Sequence, residues 1–157
     1  MNGEGIETPK SGASARRIRD MYADIKLFGY SSRRPFAFGR VEKRMQEFAE
    51  RNGITLASKS IYIGPHSIAH TLRDKKVQSG NSVPIGELIK FPKSRRSMDL
   101  YFDRDAFVYT DYKYKYIIHP SYTIKLSSGR VKKVNFITAT KVKDRSEFLQ
   151  KRYQKVE

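Results

Sequence analysis

Alternating apolar and polar side chains recur between positions 98 and 142, and this alternation is the strongest constraint that the sequence places on the fold. A period of two places successive side chains on opposite faces of a β-strand, so the segment predicts strands with one buried face. The turn-forming sequences Asp103-Arg104-Asp105 and Ser127-Ser128-Gly129 interrupt the alternation and predict two hairpins. The second half of the chain is therefore predicted to be an antiparallel sheet.

Helical periodicity precedes this region. Apolar residues within 14–28 recur at helical spacing and stop at Gly29, while a second apolar stripe within 41–49 ends near Gly53. A third helix is predicted to begin at Pro65, because proline is tolerated in the first turn, and to end around residues 76–80. The combination predicts an α+β fold in which N-terminal helices precede an antiparallel sheet of four to five strands, with a helix packed on one face.

Shorter elements complete the predicted secondary structure. Residues 54–63 form a short extended stretch, and residues 84–92 contain a short helical turn that the Phe91-Pro92 pair closes. Asp144 followed by Glu147 is a capping box, which predicts a terminal helix that extends to Tyr153.

The length of 157 residues suits one domain with an appended N-terminal segment. Residues 1–13 are rich in glycine and polar residues and show no apolar periodicity, so they predict a disordered tail. Residues 14–53 are predicted to be a helical N-terminal extension, and residues 54–157 the α+β domain.

The chain is strongly basic. Its 32 lysines and arginines against 16 acidic residues give a net charge of +16, and residues 111–157 alone hold 12 basic and 4 acidic side chains. A positive field of this size attracts polyanions through counterion release, whereas an enzyme acting on small neutral substrates has no need of it. Nucleic acid is therefore the leading predicted partner.

Lysines and tyrosines alternate on the predicted strands. On the free face of a sheet such residues would contact backbone phosphates and unstacked bases; alternatively, the tyrosines belong to the core and the lysines are simply solvated. The residues predicted to bind nucleic acid are Lys113, Tyr114, Lys115, Tyr116, Lys132 and Lys133.

Other classes of protein are less compatible with the sequence. The absence of cysteine excludes disulfides and thiolate chemistry. The N-terminus lacks the apolar core of a signal peptide, and no apolar run approaches the roughly 20 residues that span a bilayer. We expect a soluble protein with no membrane partner.

Two of the three histidines lie on the third predicted helix. His66, His70 and Arg73 stand at positions i, i+4 and i+7, which at about 100° per residue places them on one stripe. Imidazole titrates near neutrality, so the two histidines are candidate acid and base, and the neighbouring cation suits a phosphate substrate.

Other interpretations of the same histidines remain open. Two histidines one turn apart also suit zinc, but Ser67 stands where a metalloprotease motif has glutamate, and Arg73 would repel a dication. A nucleophilic role for Ser67 is weaker still, since no acid is placed to orient a base. The histidines could also pack or cap without catalysis. We expect neither a metal nor a cofactor.

The order of motifs in the chain resembles a known family. The segments are IYIGPHSIAHTLRD (61–74), VPIGEL (83–88), FP (91–92) and NFITATK (135–141). Together they resemble the phage-associated branch of the barnase, EndoU, colicin-type and RelE-like nuclease superfamily. Such domains occur in phage head-morphogenesis proteins and in toxins. The resemblance implies a helix packed on a four-stranded sheet and cleavage of RNA.

The resemblance also implies roles for individual residues. RNA cleavage in this superfamily generally needs no metal and proceeds by attack of the 2′-hydroxyl on the adjacent phosphorus. One helix-borne histidine would be the base and the other the acid, with the division of labour open. Because the strands offer no carboxylate between Asp111 and Asp144, His119 is an additional candidate acid or base. The catalytic set implied is His66, His70, Arg73, Thr138, Thr140 and Lys141, with Tyr112, Tyr114 or Tyr116 stacking on a base.

These observations lead to two alternative functions. The first is a metal-independent, toxin-type endoribonuclease that acts on RNA, such as tRNA or another structured RNA, and that an acidic immunity or antitoxin protein would inhibit. The second is a noncatalytic basic module that binds nucleic acid or serves in a phage structure. Either protein would act in the cytoplasm or after delivery into a target cell.

Overall fold

The computed structural model describes residues 11–73, 80, 82–126 and 128–157. These residues form four α-helices, two 3-10 helices and seven β-strands. The helices are α1 (Ser11–Phe28), α2 (Lys43–Arg51), α3 (Pro65–Leu72) and α4 (Ile85–Ser94), with 3-10 helices at Arg95–Ser97 and Arg145–Leu149. The strands are β1 (Phe36–Arg40), β2 (Ser60–Ile63), β3 (Asp99–Asp103), β4 (Ala106–Thr110), β5 (Tyr114–Lys125), β6 (Val131–Lys141) and β7 (Tyr153–Val156).

The two N-terminal helices end close to the glycines that predict their ends, Gly29 and Gly53. The Gly29 N–H donates a 2.9 Å hydrogen bond to the Ile25 carbonyl, and Gly29 has a φ of +82°, which glycine adopts without steric cost. Gly53, beyond the end of α2, has a φ of +68°. Of the predicted tail, residues 1–10 lie outside the described residues, whereas residues 11–13 begin α1.

One mixed sheet runs through the molecule, with strand order β1-β2-β6-β5-β4-β3-β7. The predicted hairpins β3–β4 and β5–β6 are both present and antiparallel, and Arg104 has a φ of +62° in the first turn. β2 and β6, however, pair in parallel. The α+β class is therefore confirmed, but the sheet has seven strands and is mixed, where four to five antiparallel strands were expected.

The C-terminal helix predicted over residues 144–153 is wrong. Asp144 does cap a turn by accepting a 2.9 Å hydrogen bond from the Ser146 N–H, but only a 3-10 helix follows. Glu147 instead accepts a 2.8 Å bond from Lys115 Nζ, and the chain then forms β7 against β3. The Phe91-Pro92 pair likewise does not end α4, which continues to Ser94.

The two faces of the sheet differ. The helix face carries alternate residues of β5 and β6, such as Tyr116, Ile118 and Ile137, which share one hydrophobic cluster with residues of all four helices. Residues 14–53, predicted as an extension, contribute to that same cluster. The second face carries the intervening residues. Those on β5 and β6 include Lys115, Ile117, His119, Phe136, Thr138 and Thr140.

Candidate functional site

The beginning of α3 is fixed by close packing. Gly64 precedes the helix with an extended backbone, and Pro65 occupies the first turn. A Cβ atom added to Gly64 would lie 2.8 Å from Cγ of Pro35, so only glycine fits against this proline. Ser67 supports the turn because its hydroxyl accepts a 3.2 Å hydrogen bond from the Gly64 N–H. Since β2 leads directly into Gly64, the first turn of α3 is held at the end of the sheet.

This placement brings His66 onto an aromatic stack. The His66 ring centroid lies 6.0 Å from that of Tyr122, with an interplanar angle of 24°, and 6.1 Å from that of Phe136. Tyr122 and Phe136 are stacked on each other at 4.5 Å. His66 is exposed and Tyr122 half-buried, whereas Phe136 is buried. The imidazole therefore rests on an aromatic support while remaining open to solvent.

A second histidine borders the same stack. His119 on β5 is the register partner of Phe136 on β6, so the two residues share the second face of the sheet. The Nε2 atom of His119 lies 3.2 Å from the hydroxyl oxygen of Thr138, which is the next residue of β6 on that face. His66 and His119 thus flank Phe136 from a helix and a strand, with the Thr138 hydroxyl beside His119.

Burial lowers the pKa of His119 below 6.5, the ordinary value for histidine. The charge of His66 lowers it further, while the carboxylate of Asp105 acts in the opposite direction. The His119 imidazole is therefore neutral at pH 7 and can accept a proton.

An irregularity in the sheet places Tyr122. The register of β5 against β6 shifts between His119 and Tyr122, where Pro120 and Ser121 intervene and Ser121 has a φ of +68°. A proline cannot donate to the strand ladder and is found at such bulges. The extra residue allows Tyr122 to lie on the same side as Phe136.

One lysine, Lys132, lies on the neighbouring part of the second face. Tyr62 of β2 is the register partner of Phe136, and Lys132 lies with its Nζ 5.3 Å from the centroid of the Tyr62 ring and 3.4 Å from its hydroxyl. A lysine held over an aromatic ring in this way presents its charge at a fixed place.

Not every predicted catalytic residue belongs to this arrangement. The His70 ring lies 6.5 Å from that of His66, one turn further along α3. Arg73 is exposed and follows the last helical residue with a ψ of 135°, so the predicted helical stripe ends before it; residues 74–79 lie outside the described part of the chain. Thr140 shares the face of Thr138, two positions away. Lys141 pairs with Tyr114 of the helix cluster, so alternation places it on the other face.

The predicted nucleic-acid-binding residues are also divided. Tyr114 and Tyr116 are only 8% and 1% exposed and belong to the main core, so their rings are closed to bases. Lys115 is paired with Glu147 at 2.8 Å. Lys113 lies 5.4 Å over the Tyr114 ring, and Lys133 is exposed but alternates with Lys132 and hence faces away from Tyr62.

Sequence reasoning missed the aromatic support of the site. Tyr122 and Phe136 were placed on strands with no role, because alternation alone does not distinguish a buried core aromatic from one that carries a histidine. Pro120 inside the predicted strand was the available signal, since it marks a break in register.

Two kinds of feature are absent from the described residues. No group of three or more His, Asp or Glu side chains there is arranged to hold a metal ion. No helix in the described ranges is long and apolar enough to cross a membrane.

No protein-family model matches the chain, and neither curated proteins nor solved structures give a match to it. The described residues define a basic α+β protein with a seven-stranded mixed sheet and a histidine–aromatic site on the second face of that sheet.

Proposed function

We propose that this protein is a metal-independent endoribonuclease of the toxin type, with its active site around His66 and His119. The observation that carries the proposal is the meeting of two histidines from different elements beside Phe136, with the Thr138 hydroxyl 3.2 Å from His119. An acid and a base that approach one site from two elements suit a reaction in which one proton leaves and another is delivered.

His119 is the general base in this proposal. Its burial favours the neutral imidazole, which takes the proton from the 2′-hydroxyl as that oxygen attacks the adjacent phosphorus. His66, exposed at the start of α3, donates a proton to the departing 5′-oxygen. The products are a 2′,3′-cyclic phosphate and a free 5′-hydroxyl, so atoms and protons balance without water or metal. Each imidazole contributes about 10²–10⁴ to the rate when well placed.

Other residues hold the substrate. The Thr138 hydroxyl orients His119 and lies close to where a non-bridging phosphate oxygen would sit. Lys132, fixed against Tyr62, supplies a positive charge for the RNA backbone. Arg73 lies about 10 Å along the helix axis from His66, a distance that suits a flanking phosphate better than the reacting one.

The proposal includes a substrate, an inhibitor and a place of action. An RNA such as tRNA is the substrate, and an acidic immunity or antitoxin protein is the complementary partner for a surface of net charge +16. Action in the cytoplasm or in a target cell after delivery, and an association with phage, belong to this proposal and are supported by the motif order alone.

The competing proposal is a noncatalytic nucleic-acid-binding or phage structural module. The half-buried Tyr122 ring and the neighbouring Lys132 support it, because aromatic rings beside cations bind single strands without chemistry. In that case the histidines would serve only as packing groups.

Incubation with total RNA in EDTA separates the two. The ribonuclease proposal requires cleavage by the wild-type protein, with cyclic phosphate ends, and loss of cleavage in the His66→Ala and His119→Gln variants while both still bind RNA. Intact RNA that is bound equally by all three proteins would favour the noncatalytic module.

A further inference from the structure

A second aromatic cluster lies on the second face of the sheet, beyond the histidines. The 3-10 helix over Arg145–Leu149 covers this part of the sheet and inserts Phe148 among tyrosines. The Phe148 ring centroid lies 5.1 Å from that of Tyr101, 5.5 Å from that of Tyr112 and 4.9 Å from that of Tyr153. None of these rings takes part in the histidine site.

A cleft opens beside this cluster. Its volume is about 380 Å³, within the range of small-molecule binding sites. Leu149 lines the cleft with 85% of its surface exposed, so its side chain is accessible to a ligand. The lining residues are Tyr101, Tyr112, Arg145, Ser146, Phe148 and Leu149.

Tyr112 is held in this cleft at a conformational cost. Its φ of +70° lies in the left-handed region, which a bulky side chain rarely adopts. The Tyr112 N–H donates a 2.8 Å hydrogen bond to the Thr110 hydroxyl, its phenol donates to the Asp99 carboxylate, and the Tyr101 hydroxyl lies 2.6 Å from it. These hydrogen bonds hold Tyr112 in its strained conformation and fix the direction of its ring, which forms one wall of the cleft.

A cation lies over that wall. The guanidinium carbon of Arg145 is 4.8 Å from the centroid of the Tyr112 ring, and the side chain is exposed. The segment that carries Arg145 is tied down by Glu147, which accepts hydrogen bonds from Lys115 Nζ at 2.8 Å and from the Tyr153 hydroxyl at 2.7 Å. An exposed guanidinium held over an aromatic ring in this way offers a planar, positively charged surface on which a base can stack.

The cleft and the histidine site lie on one line across the sheet. Thr138 pairs with Ile117, Ile117 with Val108 and Val108 with Tyr101, so these four residues form a single row on the second face. Three strand spacings separate Thr138 from Tyr101, which is about 14 Å. A few nucleotides of single-stranded RNA can bridge this distance.

We propose that the cleft at Tyr112, Arg145 and Leu149 is a nucleobase-binding subsite, which holds an unpaired base of the RNA a few nucleotides from the scissile phosphate. The inference rests on the proposed ribonuclease function, because the histidine site defines where the scissile phosphate lies. The base packs against Leu149 and against the Arg145 guanidinium, which lies over the Tyr112 ring.

An abasic scan tests the subsite without depending on cleavage. The probe is a fluorescent 2′-O-methyl octanucleotide, which cannot be cleaved, and its affinity is measured by anisotropy with each base removed in turn. Wild type is compared with Leu149→Glu, and Gln150→Glu is the matched control, because this neighbouring exposed residue undergoes the same change of charge. Both substitutions are at the surface and leave the core intact.

The proposal requires one position at which base removal weakens binding to wild type about tenfold or more. Leu149→Glu lowers the affinity for the intact probe by a similar factor, and removal of that base then has no further effect on its affinity. Gln150→Glu binds the intact and abasic probes as wild type does. If RNA is cleaved but Leu149→Glu and Gln150→Glu bind alike, the subsite is wrong and the ribonuclease stands. If wild type neither cleaves RNA nor binds the probe, the ribonuclease proposal fails and the subsite fails with it.

Discussion

At the residue scale, the two histidines of the site differ in their surroundings. His119 is partly buried between Phe136 and Thr138, and its pKa is lowered first by that burial, whereas His66 is exposed on the aromatic stack. A difference in burial between two neighbouring titratable groups is a common basis for separate acid and base roles. This difference is why the base role is assigned to His119.

The pH dependence of cleavage tests this assignment. The acidic limb of kcat/KM should lie below pH 6.5, because His119 must be neutral to accept a proton and its pKa is lowered. Asp105 raises the pKa of His119, so Asp105→Asn should move the acidic limb to still lower pH. Glu50→Gln on α2 is the control and should leave the limb in place. A limb that does not move, or that moves to higher pH, would contradict the role of His119.

Thr138 acts as a positioning residue in this account. Thr138→Val preserves shape but removes the hydroxyl that lies 3.2 Å from His119, so we expect kcat/KM to fall by about tenfold, in keeping with loss of one hydrogen bond. Thr138→Ser keeps the hydroxyl and should restore most of the activity. If the serine variant is as impaired as the valine variant, Thr138 matters for packing alone.

The sequence anticipated these residues unevenly. His66, His119 and Thr138 were candidates because their side chains can do acid–base chemistry or bind phosphate. Phe136 and Tyr122 carry no such chemistry, and their role depends on a register shift at Pro120 that brings distant residues together. Pro120 marks a break in the strand, but it does not indicate which residues the register shift brings together.

At the element scale, the site depends on how α3 leaves the sheet. Gly64 connects β2 to α3 where Pro35, just before β1, packs against it. The first turn of the helix, and His66 with it, is thereby held at the end of β2. The position of His66 thus depends on the apolar contact between Gly64 and Pro35.

Gly64→Ala should disturb this junction. The new Cβ would lie 2.8 Å from Cγ and 3.2 Å from Cα of Pro35, a rigid residue, so overpacking should lower the free energy of unfolding by about 1–3 kcal/mol. Gly86→Ala in α4 is the control. Nothing lies within 4 Å of its Cβ, so it should stabilise the protein by about 0.5–1 kcal/mol. Urea unfolding measures both; equal effects would mean that the Pro35 contact is not tight.

The elements that the sequence predicted are those with local signals. β3 to β6 alternate and are joined by recognisable turns, and α1 and α2 end in glycine. β1 was missed because its first four residues are all buried and show no alternation. β7 was missed because its two buried residues, Tyr153 and Val156, are three apart, which is a helical spacing. Both strands are set by pairing with distant parts of the chain.

At the scale of the whole molecule, charge alone does not define the binding surface. The net charge of +16 was visible in the sequence, but lysines that are neighbours on one strand lie on different faces. Lys132 lies over Tyr62 on the second face, whereas Lys133 pairs with Thr123 and faces away. The parallel pairing of β2 with β6, which aligns Tyr62 with Phe136, could not be predicted from local patterns.

This pair of lysines tests the proposal that RNA binds to the second face of the sheet. Lys132→Ala should weaken binding to single-stranded RNA and reduce the slope of log K against log salt by about 0.7, the value for one phosphate contact. Lys133→Ala removes the same charge from the other face and should leave the slope close to that of wild type. Salt titrations of RNA affinity measure both. Equal slopes for the two variants would indicate that the second face is not the RNA surface.

In the proposed mechanism, His66 and His119 act on one phosphate as acid and base. The most direct measurement compares cleavage of an ordinary RNA linkage with cleavage of the same linkage carrying sulfur in place of the 5′-oxygen, whose thiolate leaves without protonation. Loss of the acid should then be harmless: His66→Ala should be slow on oxygen, by about 10²-fold or more, and close to wild type on sulfur, while His119→Gln stays slow on both. Failure of sulfur to rescue His66→Ala, or rescue of His119→Gln instead, would contradict the account.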